Sequence, residues 1–249
     1  MHTSLLASGI IACLLGMPVQ ATPDQEARAV IQKAVQALGG DTAAARLQTM
    51  RTKAQGSLSL NEQSATFAVE FTTHSPGRAR MDMEISVGDA KINLTRARNG
   101  DQAWETINGQ THDLDPRQKA EILAWGRLFD ARNLLPLLKD KAYTLAPLGE
   151  IQVNGRPAVG VKVSAKGQTD LDLYFDKTTM LLVKSARWSL TPAGKEVSLE
   201  ILYSDYKDSD GVKQPMTHRL LHDGKKFIDM EVTEVRLVDK IADEEFAKP

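Results

Sequence analysis

The 249-residue chain reads as an α+β protein. It predicts one strongly curved antiparallel sheet, an incomplete β-barrel of about ten strands, with an N-terminal helix and a helical lid insert on the concave face. Three observations carry this expectation. Apolar residues recur at every second position through most of the chain, turn dipeptides separate those runs, and two stretches behind capping signals switch to helical spacing.

The first helical stretch opens at Thr22-Pro23-Asp24-Gln25, which has the form of a capping box with proline at the first helical position. Ala27, Val30, Ile31, Ala34, Val35 and Leu38 then recur at steps of three and four, and Gly39-Gly40 supplies the C-terminal stop.

From about Arg51 the period becomes two: Phe67, Val69, Phe71, then Met81, Met83, Ile85, Val87. The pattern returns at Val159, Val161, Val163, at Leu171, Leu173, Phe175, at Val197, Leu199, Ile201, Tyr203, and at Met230, Val232. Asn99-Gly100, Asn108-Gly109, Asn154-Gly155, Asp210-Gly211 and Asp223-Gly224 lie between runs, and such pairs favour tight hairpins. Sequential hairpins make an antiparallel meander, and about ten strands are too many for a flat open sheet without strong curl.

One segment interrupts the alternation. Asp115-Pro116-Arg117-Gln118 is a second helix cap, followed by Ile122, Leu123, Trp125, Leu128, Phe129, Leu134, Leu135, Leu137 and Leu138. A helix apolar on several sides must be buried. The concave face of the curved sheet is the simplest place for an insert running from Pro116 to Lys139, with Gly126 as the expected hinge.

Residues 1–21 read as a secretory signal, because the apolar run Leu5 to Leu15 is broken by Gly16 and Pro18 and followed by Val19-Gln20-Ala21. Cleavage after Ala21 would leave residues 22–249 as a single exported, periplasmic domain. Two alternatives rank below it: anchoring by Leu5 to Val19, which is shorter than the ~20 residues of a spanning helix, and lipidation at Cys13. No other cysteine occurs, so the mature chain has no disulfide and rests on an apolar core.

Lys plus Arg number 31 against 32 for Asp plus Glu, and the signs are interspersed, which argues against a nucleic-acid partner. No G-x-S-x-G elbow, no phosphate-cradling glycine loop and no post-leader cysteine nucleophile is present, so neither a catalytic residue nor a cofactor is expected. His218 and His222 sit in a strand-like context that would hold them ~13 Å apart as exposed polar residues rather than metal ligands. Asp208-Ser209-Asp210-Gly211 fails the calcium-loop register, since Thr217 stands at its twelfth position, and reads as a turn. No metal is expected.

What remains is a set of bulky apolar residues. Phe67, Phe71, Met81, Met83, Trp104, Trp125, Leu128 and Phe129 are the candidate lining of an apolar cavity and its lid, although each one alone would serve equally as core.

Leu38-Gly39-Gly40, then Leu173-Tyr174-Phe175-Asp176 with Thr179, then Tyr203-Ser204-Asp205-Tyr206-Lys207 and Asp210 to Pro215, and an ending at Phe246 to Pro249, form a recognisable series. It resembles the LolA-like superfamily of periplasmic outer-membrane lipoprotein carriers and lipoprotein-sorting proteins. The resemblance implies a half-barrel with a helical lid over a cavity that shelters lipid or lipoprotein acyl chains. A non-enzymatic carrier is the first expectation; a cell-envelope sensor or protein-interaction module of the same fold is the second.

Overall fold

The computed structural model describes residues 21–60, 63–191 and 194–249. The predicted leader up to Gln20, Cys13 included, lies outside the described residues. Among the described residues no helix is long and apolar enough to cross a membrane.

Helix α1 (Pro23–Leu38) starts at its predicted capping box: the Gln25 amide donates to Thr22 Oγ1 at 3.3 Å, and the Thr22 amide to Gln25 Oε1 at 2.8 Å. Gly39, at φ 126°, ends it. The short helix α2 (Asp41–Arg46) follows, too brief to leave a periodic signal in the sequence.

The first half of the sheet comprises β1 (Thr49–Leu60), β2 (Gln63–His74), β3 (Arg78–Val87), β4 (Ala90–Asn99), β5 (Gln102–Ile107) and β6 (Gln110–His112). The insert then forms two helices, α3 (Pro116–Arg132) and α4 (Leu135–Lys139). The second half comprises β7 (Tyr143–Val153), β8 (Arg156–Ala165), β9 (Leu171–Asp176), β10 (Leu182–Leu190), β11 (Glu196–Ser209), β12 (Val212–His222) and β13 (Lys225–Leu237). A 3-10 turn at Asp243–Phe246 completes the chain.

The thirteen strands of the described residues form one antiparallel sheet in the order β6-β5-β4-β3-β2-β1-β13-β12-β11-β10-β9-β8-β7. Each half is a meander, and β1 and β13 join the halves. The end strands β6 and β7 do not pair, so the barrel stays open and the insert runs between its two edges. The count exceeds the expected ten partly because Arg96 and Arg98 occupy inward positions of β4, where alternation calls for apolar residues.

The ladder sets two faces. Phe67, Val69 and Phe71 stand opposite Ile85, Met83 and Met81 on the inner face, which the helices cover. The insert does lie there, but it shares the face: α1 and α2 fill the half under β7 to β12, whereas α3 covers β3 to β5. Two apolar clusters result. One gathers Ile31, Val35, Leu137, Val161, Leu173 and Phe175, and the other gathers Phe67, Val69, Phe71, Met81 and Val232.

Gly56 permits the curl between the halves. A Cβ there would stand 2.0 Å from the Asp229 carbonyl oxygen and 2.9 Å from the Phe67 ring, beside a register shift at Lys53/Ala54 that bends β1. Gly56→Ala is therefore expected to lose about 1–3 kcal/mol through overpacking. Urea unfolding measures this, and an unchanged midpoint would show that the close approach is dispensable.

Candidate functional site: the inner trough and its helical cover

Helix α3 spans the trough from wall to wall. Its Glu121 and Asp130 are nine positions apart, and at about 100° of turn per residue they project to opposite sides. Glu121 pairs with Arg187 on β10 and also accepts from Ser189 Oγ at 2.7 Å and the Leu190 amide at 3.3 Å. Asp130 meets Arg98 on β4 at 2.6 Å and accepts from Ser75 Oγ at 2.9 Å and the Gly77 amide at 3.1 Å. The two arginines lie in different halves of the sheet, so the pairs tie the cover to both.

Beneath α3 the contact is aromatic. The Phe129 ring lies 5.6 Å from Phe71 and 5.2 Å from Trp125, centroid to centroid. Towards the N-terminal end of α3 the cover thins, leaving Met83, Ile85, Leu94, Met216, Ile228 and Met230 half-buried on the inner face. Gly126 is not a loose joint, because a Cβ there would stand 2.6 Å from Arg98 Cδ; it lets α3 press against β4. The irregular joint is Leu134 between α3 and α4, a bulky residue held at φ 62°.

At that joint the interior holds a cavity of about 30 Å³, lined by Met50, Phe129, Arg132, Asn133, Tyr206 and Gln214 among others. In this conformation it has room for roughly two waters, far less than an acyl chain needs. Two larger depressions, about 530 and 680 Å³, are shallow and open on the outer face, and Asp82, Glu84, Arg219, Asp229 and Glu231 make them polar. Neither suits an acyl chain.

No family model matches the sequence, and no curated protein matches it. Among solved structures, a LolA superfamily protein from Nitrosomonas europaea aligns with TM-score 0.58 at 10% identity, over 89% of this chain and 97% of that one. The chain has a LolA-like fold. An outer membrane lipoprotein-sorting protein domain from Vibrio parahaemolyticus gives TM-score 0.55 at 10% identity over 90% and 97% of the two chains. A DUF1329 family protein from Desulfovibrio piger gives 0.55 at 14% identity over 91% and 98%.

Within this LolA-like fold, Phe67, Phe71, Met81, Met83, Trp125 and Phe129 gather in one cluster on the inner face and under α3. Leu128 points the other way along the helix and packs with the α1 cluster. Trp104 lies on the outer face, opposite Ala97, where its indole N–H donates to the Phe246 carbonyl at 3.1 Å beneath the C-terminal turn. Strand alternation from Glu105, which faces inward to meet Arg96, would have placed Trp104 outside.

The sequence also pointed away from the polar interior. His218 lies on a strand as expected but is buried rather than exposed, edge-on to Tyr203 at 5.2 Å, with Nε2 unpartnered. Tyr203 is hydrogen-bonded to Ser185 at 2.9 Å, and the Arg132 guanidinium lies 5.5 Å from its ring centre. Asp208 caps the predicted Asp-Gly turn by accepting from the Gly211 amide at 2.8 Å, and among the described residues no cluster of three metal-ligating side chains occurs. Asp176, from the motif that carried the family resemblance, accepts from the Thr178 and Thr179 amides and from Arg156, a turn-holding role.

Two outcomes follow from this geometry. Asp130→Ala leaves Arg98, whose side chain is 11% exposed, without its carboxylate, and is expected to cost about 3–5 kcal/mol in urea unfolding. Glu84→Ala, which removes the exposed partner of Lys91, should cost under about 1 kcal/mol.

Burial holds the folded His218 neutral, its pKa lowered from 6.5 to about 3. An unfolded histidine takes up a proton below about pH 6.5, so acid favours the unfolded state throughout that window. Between pH 7 and pH 4.5 this residue alone should remove about 2–3 kcal/mol of stability. His218→Gln should flatten that part of the pH profile, and an undiminished slope would place the acid sensitivity elsewhere.

Proposed function

We propose that this chain is a non-enzymatic periplasmic carrier that shelters an acyl chain of a lipid or lipoprotein between α3 and the inner face. The observation that carries the reading is the cover itself: an apolar wall sealed by one helix that two ion pairs fasten to opposite sides of an open sheet. The LolA-like fold supports it.

Energetics make such a cover displaceable. A sixteen-carbon chain gains about 12 kcal/mol on leaving water, at about 0.8 kcal/mol per methylene. Opening the cover returns both charges of each pair to water, so releasing a pair costs less than stranding one buried charge, which is about 3–5 kcal/mol, and the chain's transfer outweighs two of them. The clamps keep the cover shut when empty without making entry prohibitive, and Phe71, Phe129 and Trp125 would separate to receive the ligand.

The periplasmic location rests on the leader read at residues 1–21, with Thr22 as the first residue of the mature chain. N-terminal sequencing of protein from the native envelope tests it.

A second reading, an envelope sensor or interaction module, draws on one feature. Trp188 is 61% exposed on the outer face, and its carbonyl accepts from Arg187 at 2.9 Å, the arginine that holds Glu121. A protein partner seated on Trp188 would press directly on one clamp.

Protein purified from its native envelope, extracted and analysed by mass spectrometry, should yield acyl lipid near one molecule per chain. Glu121→Gln should speed exchange of that lipid with added vesicles several-fold. Recovery without lipid, together with a stoichiometric protein partner lost on Trp188→Ala, would overturn the carrier in favour of the sensor.

A further inference from the structure

The cavity at the α3–α4 joint has a charge imbalance. Arg132 and Lys213 both line it, none of its lining residues is acidic, and among the described residues neither cation has a carboxylate within ion-pair distance. Arg132 is half-buried, and its guanidinium lies over the Tyr203 ring at 5.5 Å. A cation drawn partly out of water with no counter-charge is costly unless an anion joins it.

Asn133 points to the same conclusion independently. It is 2% exposed and lines the cavity, yet among the described residues neither its amide nitrogen nor its amide oxygen has a hydrogen-bond partner. Buried amides are nearly always satisfied. The neighbouring polar groups are already engaged: Tyr206 donates to the Leu182 carbonyl at 2.6 Å and Thr73 to the Met50 carbonyl at 3.3 Å. Among the described residues, Asn133, Arg132, Gln214 and Lys213 are the donors of the lining left without a side-chain partner, and of these Asn133 is the most deeply buried.

The remaining walls are apolar, from Leu38, Met50, Leu182 and Phe129. Phe129 also belongs to the aromatic stack under α3 and lies three residues before Arg132, on the same side of the helix. The cavity is thus a polar end to the apolar trough.

We infer that Arg132 and Asn133 receive the oxyanion headgroup, a carboxylate or a phosphate, of an amphiphile whose chain lies beneath α3. The inference rests on the carrier reading and makes it specific: the ligand is an anionic lipid, held head-inward at the α3–α4 joint. Lys213, exposed at the mouth, draws the anion in.

The test is calorimetric titration of the mature protein with dodecanoate, dodecyl phosphate, dodecanol and inorganic phosphate. Both anionic amphiphiles should bind about tenfold or more tightly than the alcohol, as a charge-assisted hydrogen bond requires, and Arg132→Gln should abolish that preference while sparing dodecanol. Asn133→Leu should weaken the preference without lowering the melting temperature, because it replaces unpaired polar atoms with an apolar group of similar shape.

Equal affinity for all three amphiphiles, or a preference that survives Arg132→Gln, overturns the headgroup site and leaves the carrier standing. Failure of every amphiphile to bind overturns both. Inorganic phosphate binding as tightly as dodecyl phosphate would assign the site to a free ion, and a melting temperature lowered by several degrees in Asn133→Leu would make Asn133 structural.

Discussion

A sheet that curls without closing must cover its inner face, and in this chain that constraint falls on helix α3. The strands at the two ends, β6 and β7, stay unpaired, and the polypeptide passes between them as the insert. Glu121 and Asp130 reach opposite walls only because nine residues of helix separate them by half a turn in projection. The position of the aromatic stack and the depth of the polar cavity both depend on that bridge. Across the trough, α1 is packed against β7, β8 and β12 without any comparable ionic tie to a sheet arginine among the described residues, which marks α3 as the element built to be held rather than merely packed.

The interior joins two chemistries that usually exclude one another. One end is a cluster of Phe, Met and Val, and the other holds His218, Tyr203, Arg132 and Asn133, of which His218 and Asn133 have buried polar atoms without a partner among the described residues. Histidine survives burial by staying neutral, whereas Arg132 cannot shed its charge and depresses the protonation of its neighbour. A structure optimised for stability alone would have an apolar residue at Asn133. Asn133 beside a guanidinium with no carboxylate partner among the described residues is a local conflict of the kind expected at functional sites.

Much of the fold was legible in the sequence, because a half-buried sheet writes its burial in alternate residues and its hairpins in Asn-Gly and Asp-Gly pairs. Both capping boxes were equally plain, since they lie within four consecutive residues. The site was only partly legible. The cluster of Phe67, Phe71, Met81 and Phe129 follows from alternation and helical spacing, whereas Trp104 departs from it because its neighbour Glu105 faces inward and alternation turns Trp104 outward. The clamps were hidden for a deeper reason: an ion pair such as Arg98 with Asp130 links positions on different elements, and no local pattern records that. Glu121 and Asp130, the two acids of α3, were the available signal, and their angular separation would have pointed to two walls.

Displacement of α3, as proposed for ligand entry, can be read directly as a distance. The sequence after residue 21 contains no cysteine, so spin labels can be placed on engineered cysteines at exposed Lys119 of α3 and exposed Lys91 of β4. Pulsed electron resonance then reads the distance between them with and without dodecanoate. A longer and broader distance distribution is expected when the amphiphile is bound; an identical distribution in a sample shown to contain bound amphiphile would contradict a displaceable α3.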